Sequence, residues 1–263
     1  TNMSMIVSNQ RVGSGVGQTA IRGSTFITLR NCYVYTENNG GSTSIALTLS
    51  DYCTVDNCTV VGVGEVGNLI YINPYNPPSG VTENNSYNNI TNNKIFGEGS
   101  AISLGIVIGG SHNYISGNVG KLGIATAYAT KGIQNSTIIN NAVSYIVAIP
   151  NSYIANNTVS NSIGAANNSI IINNKAKSLT IAGVNVKVYN NTITENTTIS
   201  TGNANVTGNN LYNIILNNAK ASETNITSNN ITGSVIITKA NKINISDNII
   251  ENNNDYTINI ATS

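Results

Sequence analysis

One short motif recurs along this chain and restricts its fold more than any other feature. It is an aliphatic residue, two of any kind, an Asn, one of any kind, then a second aliphatic. It reads Ile90…Asn93…Ile95, Ile138…Asn141…Val143, Ile154…Asn157…Val159, Val188…Asn191…Ile193, Val206…Asn209…Leu211, Ile226…Asn229…Ile231 and Ile245…Asn248…Ile250. Asn118 and Asn174 share the frame with weaker final positions, Gly120 and Ala176, while Leu29…Cys32…Val34 and Val55…Cys58…Val60 put Cys in place of Asn. All eleven slots have Ile, Val or Leu three residues upstream. From Asn141 onward the slots are 16, 17, 17, 18, 20 and 19 residues apart, about 18 on average. A coil of that length holds three short strands, three tight turns and little else.

Parity agrees with strands. The residue four before the slot faces away from the aliphatic one and is usually polar: Asn89, Thr137, Lys187, Asn205, Asn225 and Asn244, with Tyr114, Tyr153 and Ile170 as exceptions. Further strand-like patches lie between slots at Tyr145 to Ile149, Leu179 to Ala182, Tyr212 to Leu216, Val235 to Thr238 and Tyr256 to Ile260. The spacing therefore predicts an all-β chain, a parallel β-solenoid whose coils stack about 4.8 Å apart, so that equivalent residues form ladders. Ile and Val ladders fill the interior. A slot Asn serves a turn twice over: it tolerates left-handed backbone, and its amide both donates and accepts between coils.

Composition agrees. The 263 residues include 49 Asn, and 38 Ile against 9 Leu, with only 9% charged, which disfavours long helices. The net charge is +1 and the three Arg all precede position 31, which argues against a nucleic-acid partner. No run of 18 apolar residues suggests a membrane span.

Repeats such as Ser152-Tyr153-Ile154-Ala155-Asn156-Asn157-Thr158-Val159 resemble those of the pectate-lyase-like right-handed β-helix superfamily, over roughly positions 26 to 260. The resemblance implies a single-stranded right-handed parallel β-helix of about eleven coils. Left-handed hexapeptide helices have a similar coil length, but their strict six-residue apolar period is missing. The superfamily includes lyases, glycoside hydrolases, carbohydrate-binding repeats, adhesins and tailspikes, so the resemblance speaks to fold far more than to activity.

Three regions follow. Residues 1–25 have no slot and are expected to form a cap or contact arm; 26–130 carry long irregular coils; 131–263 carry short regular ones. Residues 73–80, Asn73-Pro74-Tyr75-Asn76-Pro77-Pro78-Ser79-Gly80, are expected to leave the ladder as a loop. The strand-like ending Tyr256 to Ile260 predicts an open coil, on a piece of a longer protein or docked against a partner or second copy. The initial Thr suggests that any initiator Met or signal peptide lies outside the sequence.

Catalysis on this fold requires clustered carboxylates. The chain has only four Asp and seven Glu. Asp51 and Asp56 have opposite strand parity unless a turn intervenes, and no Asp-Asp pair or Gly-His-Gly occurs. His112 reads as a turn histidine, which Glu98 reaches only if the coils stack suitably. No catalytic residue, metal ligand or cofactor is expected.

Cys32 and Cys58 occupy equivalent slots, as either a disulfide or a stacked pair of inward thiols, with Cys53 off the slot as a competitor. Glycosylation candidates are Asn89, Asn205, Asn225 and Asn244, four before a slot, and Asn57, Asn156 and Asn190, one before it. Candidate recognition residues are Tyr33 and Tyr35, which share parity, and Tyr71 and Tyr75, which flank the proline loop.

The expected function is that of a non-enzymatic extracellular β-helix on a virion or cell surface. It would be a tailspike or fibre segment, or an adhesin, contacting host-surface glycans or proteins. The alternatives are a carbohydrate-binding or polysaccharide-cleaving β-helix, and a filament or surface-layer subunit.

Overall fold

The structure is a computed structural model that describes residues 2–4, 10–11, 19–22, 25–48, 50–73, 86–98, 104–126, 135–147, 150–218, 220–251 and 258–260. The chain divides into two compact units, Thr1–Tyr145 and Ile146–Ser263. Both are parallel β-helices, and no helix among the described residues is long and apolar enough to cross a membrane.

Each slotted coil opens with a three-residue strand. In the first unit Thr28–Arg30, Thr54–Asp56, Asn89–Thr91, Tyr114–Ser116 and Thr137–Ile139 pair in parallel, in chain order. In the second, Tyr153–Ala155, Ile170–Ile172, Lys187–Tyr189, Asn205–Thr207, Asn225–Thr227 and Asn244–Ser246 do the same. The register matches slot to slot. Leu29, Val55, Ile90, Ile115 and Ile138 form one inward ladder, and Ile154, Ile171, Val188, Val206 and Ile226 form another, all buried. Each such side chain contributes about 1.5–3 kcal/mol through burial, which makes these ladders the core.

After the slot the chain enters a second parallel sheet. There Val34, Val60 and Ile95 align in the first unit, and Ile193, Leu211 and Ile231 in the second. In the N-terminal region, Asn2–Ser4, Gln10–Arg11 and Thr19–Arg22 pair in parallel with Thr28–Arg30, Thr36 and Glu37, and Ile45 to Thr48.

The opening strands are short because left-handed residues bracket them. In every slotted coil the residues six before and one before the slot have φ between 50° and 67°, as at Tyr52 and Asn57, or Asn185 and Asn190. This corrects one expectation. Left-handed backbone belongs to the residue preceding the slot Asn and not to the slot Asn itself, because the slot side chain points inward and is needed there.

In the first unit the N–H groups of Cys58, Asn93 and Asn118 donate to Oδ1 of Asn93, Asn118 and Asn141, at 2.9, 3.1 and 3.0 Å. In the second, Asn157, Asn174, Asn191, Asn209 and Asn229 donate in turn to the next slot, ending at Asn248, at 2.8–3.0 Å. The Nδ2 of Asn93, Asn118, Asn141, Asn174, Asn191, Asn209, Asn229 and Asn248 also reaches back to a carbonyl of the preceding coil, as Asn191 does to Ile171 at 2.9 Å. Backbone groups that a tight turn would otherwise bury unpaired are thereby satisfied.

Candidate binding surfaces

The position six before the slot behaves differently in the two units. In the second it carries Asn151, Asn168, Asn185 and Asn203, then Glu223 and Lys242; the first three amides link by hydrogen bonds of 2.9 and 3.1 Å, and Lys242 pairs with Glu223 at 3.3 Å. In the first it carries Phe26, Tyr52, Tyr87 and His112. Their rings stack with centroids 5.1, 5.0 and 4.8 Å apart, nearly parallel at 16°, 4° and 9°. The inter-coil spacing itself brings the rings to stacking distance.

This aromatic rib faces solvent: Phe26 is 68% exposed, and Tyr52 and Tyr87 46% each. Its residues have φ of 60°, 55°, 59° and 57°. A non-Gly, non-Asn residue in that conformation costs about 1–2 kcal/mol, which ring stacking of about 0.5–1.5 kcal/mol per pair partly offsets. Because the faces cover one another, the rib presents ring edges, the Tyr52 and Tyr87 hydroxyls and the imidazole. The His112 Nε2 lies 3.3 Å from Asn135 Nδ2, which occupies the same position one coil on.

These rings were missed in favour of Tyr33, Tyr35, Tyr71 and Tyr75. The available signal was spacing: Phe26, Tyr52, Tyr87 and His112 are separated by 26, 35 and 25 residues, the same intervals as slots 32, 58, 93 and 118. Of the four expected residues, Tyr33 is 41% exposed. Tyr35 and Tyr71 are half-buried, burial raising the Tyr71 phenol above its ordinary pKa. Tyr75 and residues 74–80 lie outside the described residues.

The carboxylates hold coils together. Asp51 Oδ1 accepts the Ser86 N–H at 2.8 Å. Asp56 receives Arg30 Nε at 3.0 Å, Thr91 Oγ1 at 2.7 Å and Asn92 Nδ2 at 3.0 Å. Partial burial works to raise the Asp56 pKa, but these three donors and the Arg30 charge outweigh it and lower the value. The turn at Tyr52 separates the two aspartates, whereas Glu98 lies on the second sheet, paired in register with Val63.

Among the glycosylation candidates, Asn89, Asn225 and Asn244 are exposed on the opening strands and Asn205 is half-buried there. Asn57, Asn156 and Asn190 are exposed at left-handed corners. Some of these amides are engaged: Asn57 Nδ2 donates to Asn31 Oδ1 at 2.8 Å, and Asn244 Nδ2 to Asn225 Oδ1 at 3.3 Å.

Cys32, Cys53 and Cys58 are buried thiols outside any disulfide. Cys58 Sγ donates to the Leu29 and Asp56 carbonyls at 3.7 and 3.4 Å. Burial pushes its thiol up to about 11; the Cys32 thiol beside it adds to the rise, and a Cys32 backbone hydrogen bond opposes it. Cys53 belongs to a second inward column, five before the slot, where its N–H donates to Asn88 Oδ1 at 2.8 Å and that of Asn88 to Asn113 Oδ1 at 2.9 Å.

Fold and surface together define a parallel β-helix that carries an exposed aromatic rib. The sequence matches no protein-family model, and neither a curated protein nor a solved structure matches it.

Proposed function

We propose that this chain is a non-enzymatic, extracellular member of the pectate-lyase-like β-helix superfamily. It acts as a tailspike or fibre segment, or as a cell-surface adhesin, that contacts host-surface glycans or proteins. One observation carries the reading: four consecutive coils place exposed aromatic rings at left-handed corners where four of the six coils of the second unit use Asn. Left-handed strain combined with apolar exposure is a costly arrangement for a corner, and it is typical of contact surfaces. Asp51 and Asp56, which flank Tyr52 of the rib in sequence, are engaged between coils, which favours binding over acid/base chemistry.

On this reading a second copy or partner chain packs against the coil containing Ile249 and Ile258, which are 61% and 43% exposed. The test pairs Tyr52→Asn with Tyr87→Asn, the residue that four of the six coils of the second unit use at the same corner. Immobilised panels of cell-surface glycans and extracellular proteins should capture the parent chain, and the double variant should lose that capture at unchanged Tm. Capture that survives both substitutions, or release of reducing ends from any panel polysaccharide, would overturn the proposal.

A further inference from the structure

In the second unit, the corner just beyond the slot is irregular on both sides of Tyr212. Thr192–Ile199 pairs with Asn210–Leu216 through Ile193↔Leu211 and then Asn196↔Asn213, so Thr194 and Glu195 together stand opposite Tyr212. On the other side Leu211↔Ile231 is followed by Ile214↔Val235, leaving Thr232, Gly233 and Ser234 against Tyr212 and Asn213. The coil of Tyr212 is thus one residue shorter here than either neighbour. Bulges of this kind re-aim side chains and commonly border functional sites.

A recess of about 230 Å³ opens at this point. Its lining presents the side chains of Thr192, Thr194, Asn210, Tyr212, Asn230 and Thr232, together with Ile193 and Leu211, whose own side chains are buried. The geometry is fixed. Asn213 Nδ2 donates to Asn196 Oδ1 at 3.0 Å, and Ser234 N–H to Asn213 Oδ1 at 2.8 Å. At Gly233, next to Thr232, a Cβ would lie 2.2 Å from Asn213 Oδ1 and 2.5 Å from the Tyr212 carbonyl, so the close approach requires glycine.

The lining carries hydroxyls, primary amides and one aromatic ring, and no charge. Glu195, next to Thr194, lies 4.0 Å from Lys177, which supplies it with a counter-charge. Lys175 stands one coil before Thr192, and Glu251 one coil beyond Thr232. Tyr212 is 48% exposed and, among the described residues, stacks on no other ring, unlike the rings of the rib.

We propose that this recess binds one neutral sugar residue. The apolar C–H face of the pyranose lies on Tyr212, and the ring hydroxyls exchange hydrogen bonds with Asn210, Asn230 and the flanking threonines. Sugar hydroxyls both donate and accept, and so do amides and threonine hydroxyls, so each partner satisfies the other without charge. This site is separate from the aromatic rib and does not rest on the rib's role.

The test is saturation-transfer NMR on the full chain with the methyl glycosides of glucose, galactose, mannose and N-acetylglucosamine, and with methyl glucuronide. At least one neutral glycoside should receive saturation. Tyr212→Ala should weaken that binding about tenfold, Tyr212→Phe should retain it, and the Tyr52→Asn/Tyr87→Asn variant should leave it unchanged. No transfer to any neutral glycoside, transfer unaffected by Tyr212→Ala, or a preference for the glucuronide would each overturn the proposal. Because the recess would itself hold panel glycans, the panel that tests the rib is run in the Tyr212→Ala background, which keeps the two outcomes distinguishable.

Discussion

At the scale of single residues, two conformational demands explain the excess of Asn. The slotted coils contain twenty-two left-handed corners; twelve are Asn and two are Gly, the residues that occupy this region at least cost. Nine further Asn sit in slots, where an amide that donates and accepts is needed. The corner residues that are neither Asn nor Gly therefore stand out, and Phe26, Tyr52, Tyr87 and His112 form the one aromatic group among them. The thiols follow from position as well. A group that is neutral when protonated and whose pKa is raised by folding favours the folded state below its unfolded pKa, and that contribution is lost as pH rises through the folded value. For Cys58 the folded value is about 11. All three thiols are buried, so iodoacetamide at pH 8 should leave them unmodified in the folded chain and add three carbamidomethyl groups after unfolding in denaturant. A folded mass already lower by two hydrogens would instead establish a disulfide, and peptide mapping would tell a Cys32–Cys58 bridge from one that includes Cys53.

At the scale of the coil, the slot Asn acts as a cross-brace. Asn191 Oδ1 accepts both the N–H and Nδ2 of Asn174, while its own Nδ2 donates to the Ile171 and Tyr189 carbonyls and to Asn209 Oδ1. Asn191→Ala removes these partners from buried groups and should destabilise the chain by about 3 kcal/mol. Asn191→Asp keeps the shape but replaces the donor with a buried charge facing carbonyl oxygens, so denaturant titration should find it at least as damaging. This level was largely legible in the sequence, because the slot recurs with one aliphatic residue at a fixed distance on each side. The corners were only half legible: the residue before the slot could be placed but not assigned its conformation. The aromatic rib went unseen because the tyrosines were sorted by strand parity, while the rib runs across coils at the slot intervals. The recess was invisible for a different reason. It depends on a register difference of one residue between neighbouring coils, and a spacing that varies from 17 to 20 residues does not say at which corner the extra residue lies.

At the scale of the whole molecule, both units are parallel β-helices built on the same frame but with different surfaces. The first carries the aromatic rib at corners where the second runs an Asn ladder, and the second carries the Tyr212 recess. Low charge leaves packing and amide hydrogen bonds as the main source of cohesion in each. That cohesion rests on slot residues that lie in turns, so backbone amide hydrogen exchange tests the account most directly. The N–H groups of Asn93, Asn118, Asn174, Asn191, Asn209 and Asn229 should be protected as strongly as the inward strand residues Ile90, Ile171 and Val206, and Asn191→Ala should release the amide of Asn174 first. Slot amides that exchange at the rate of exposed turns, with protection confined to the strands, would contradict the ladder and the fold argued from it.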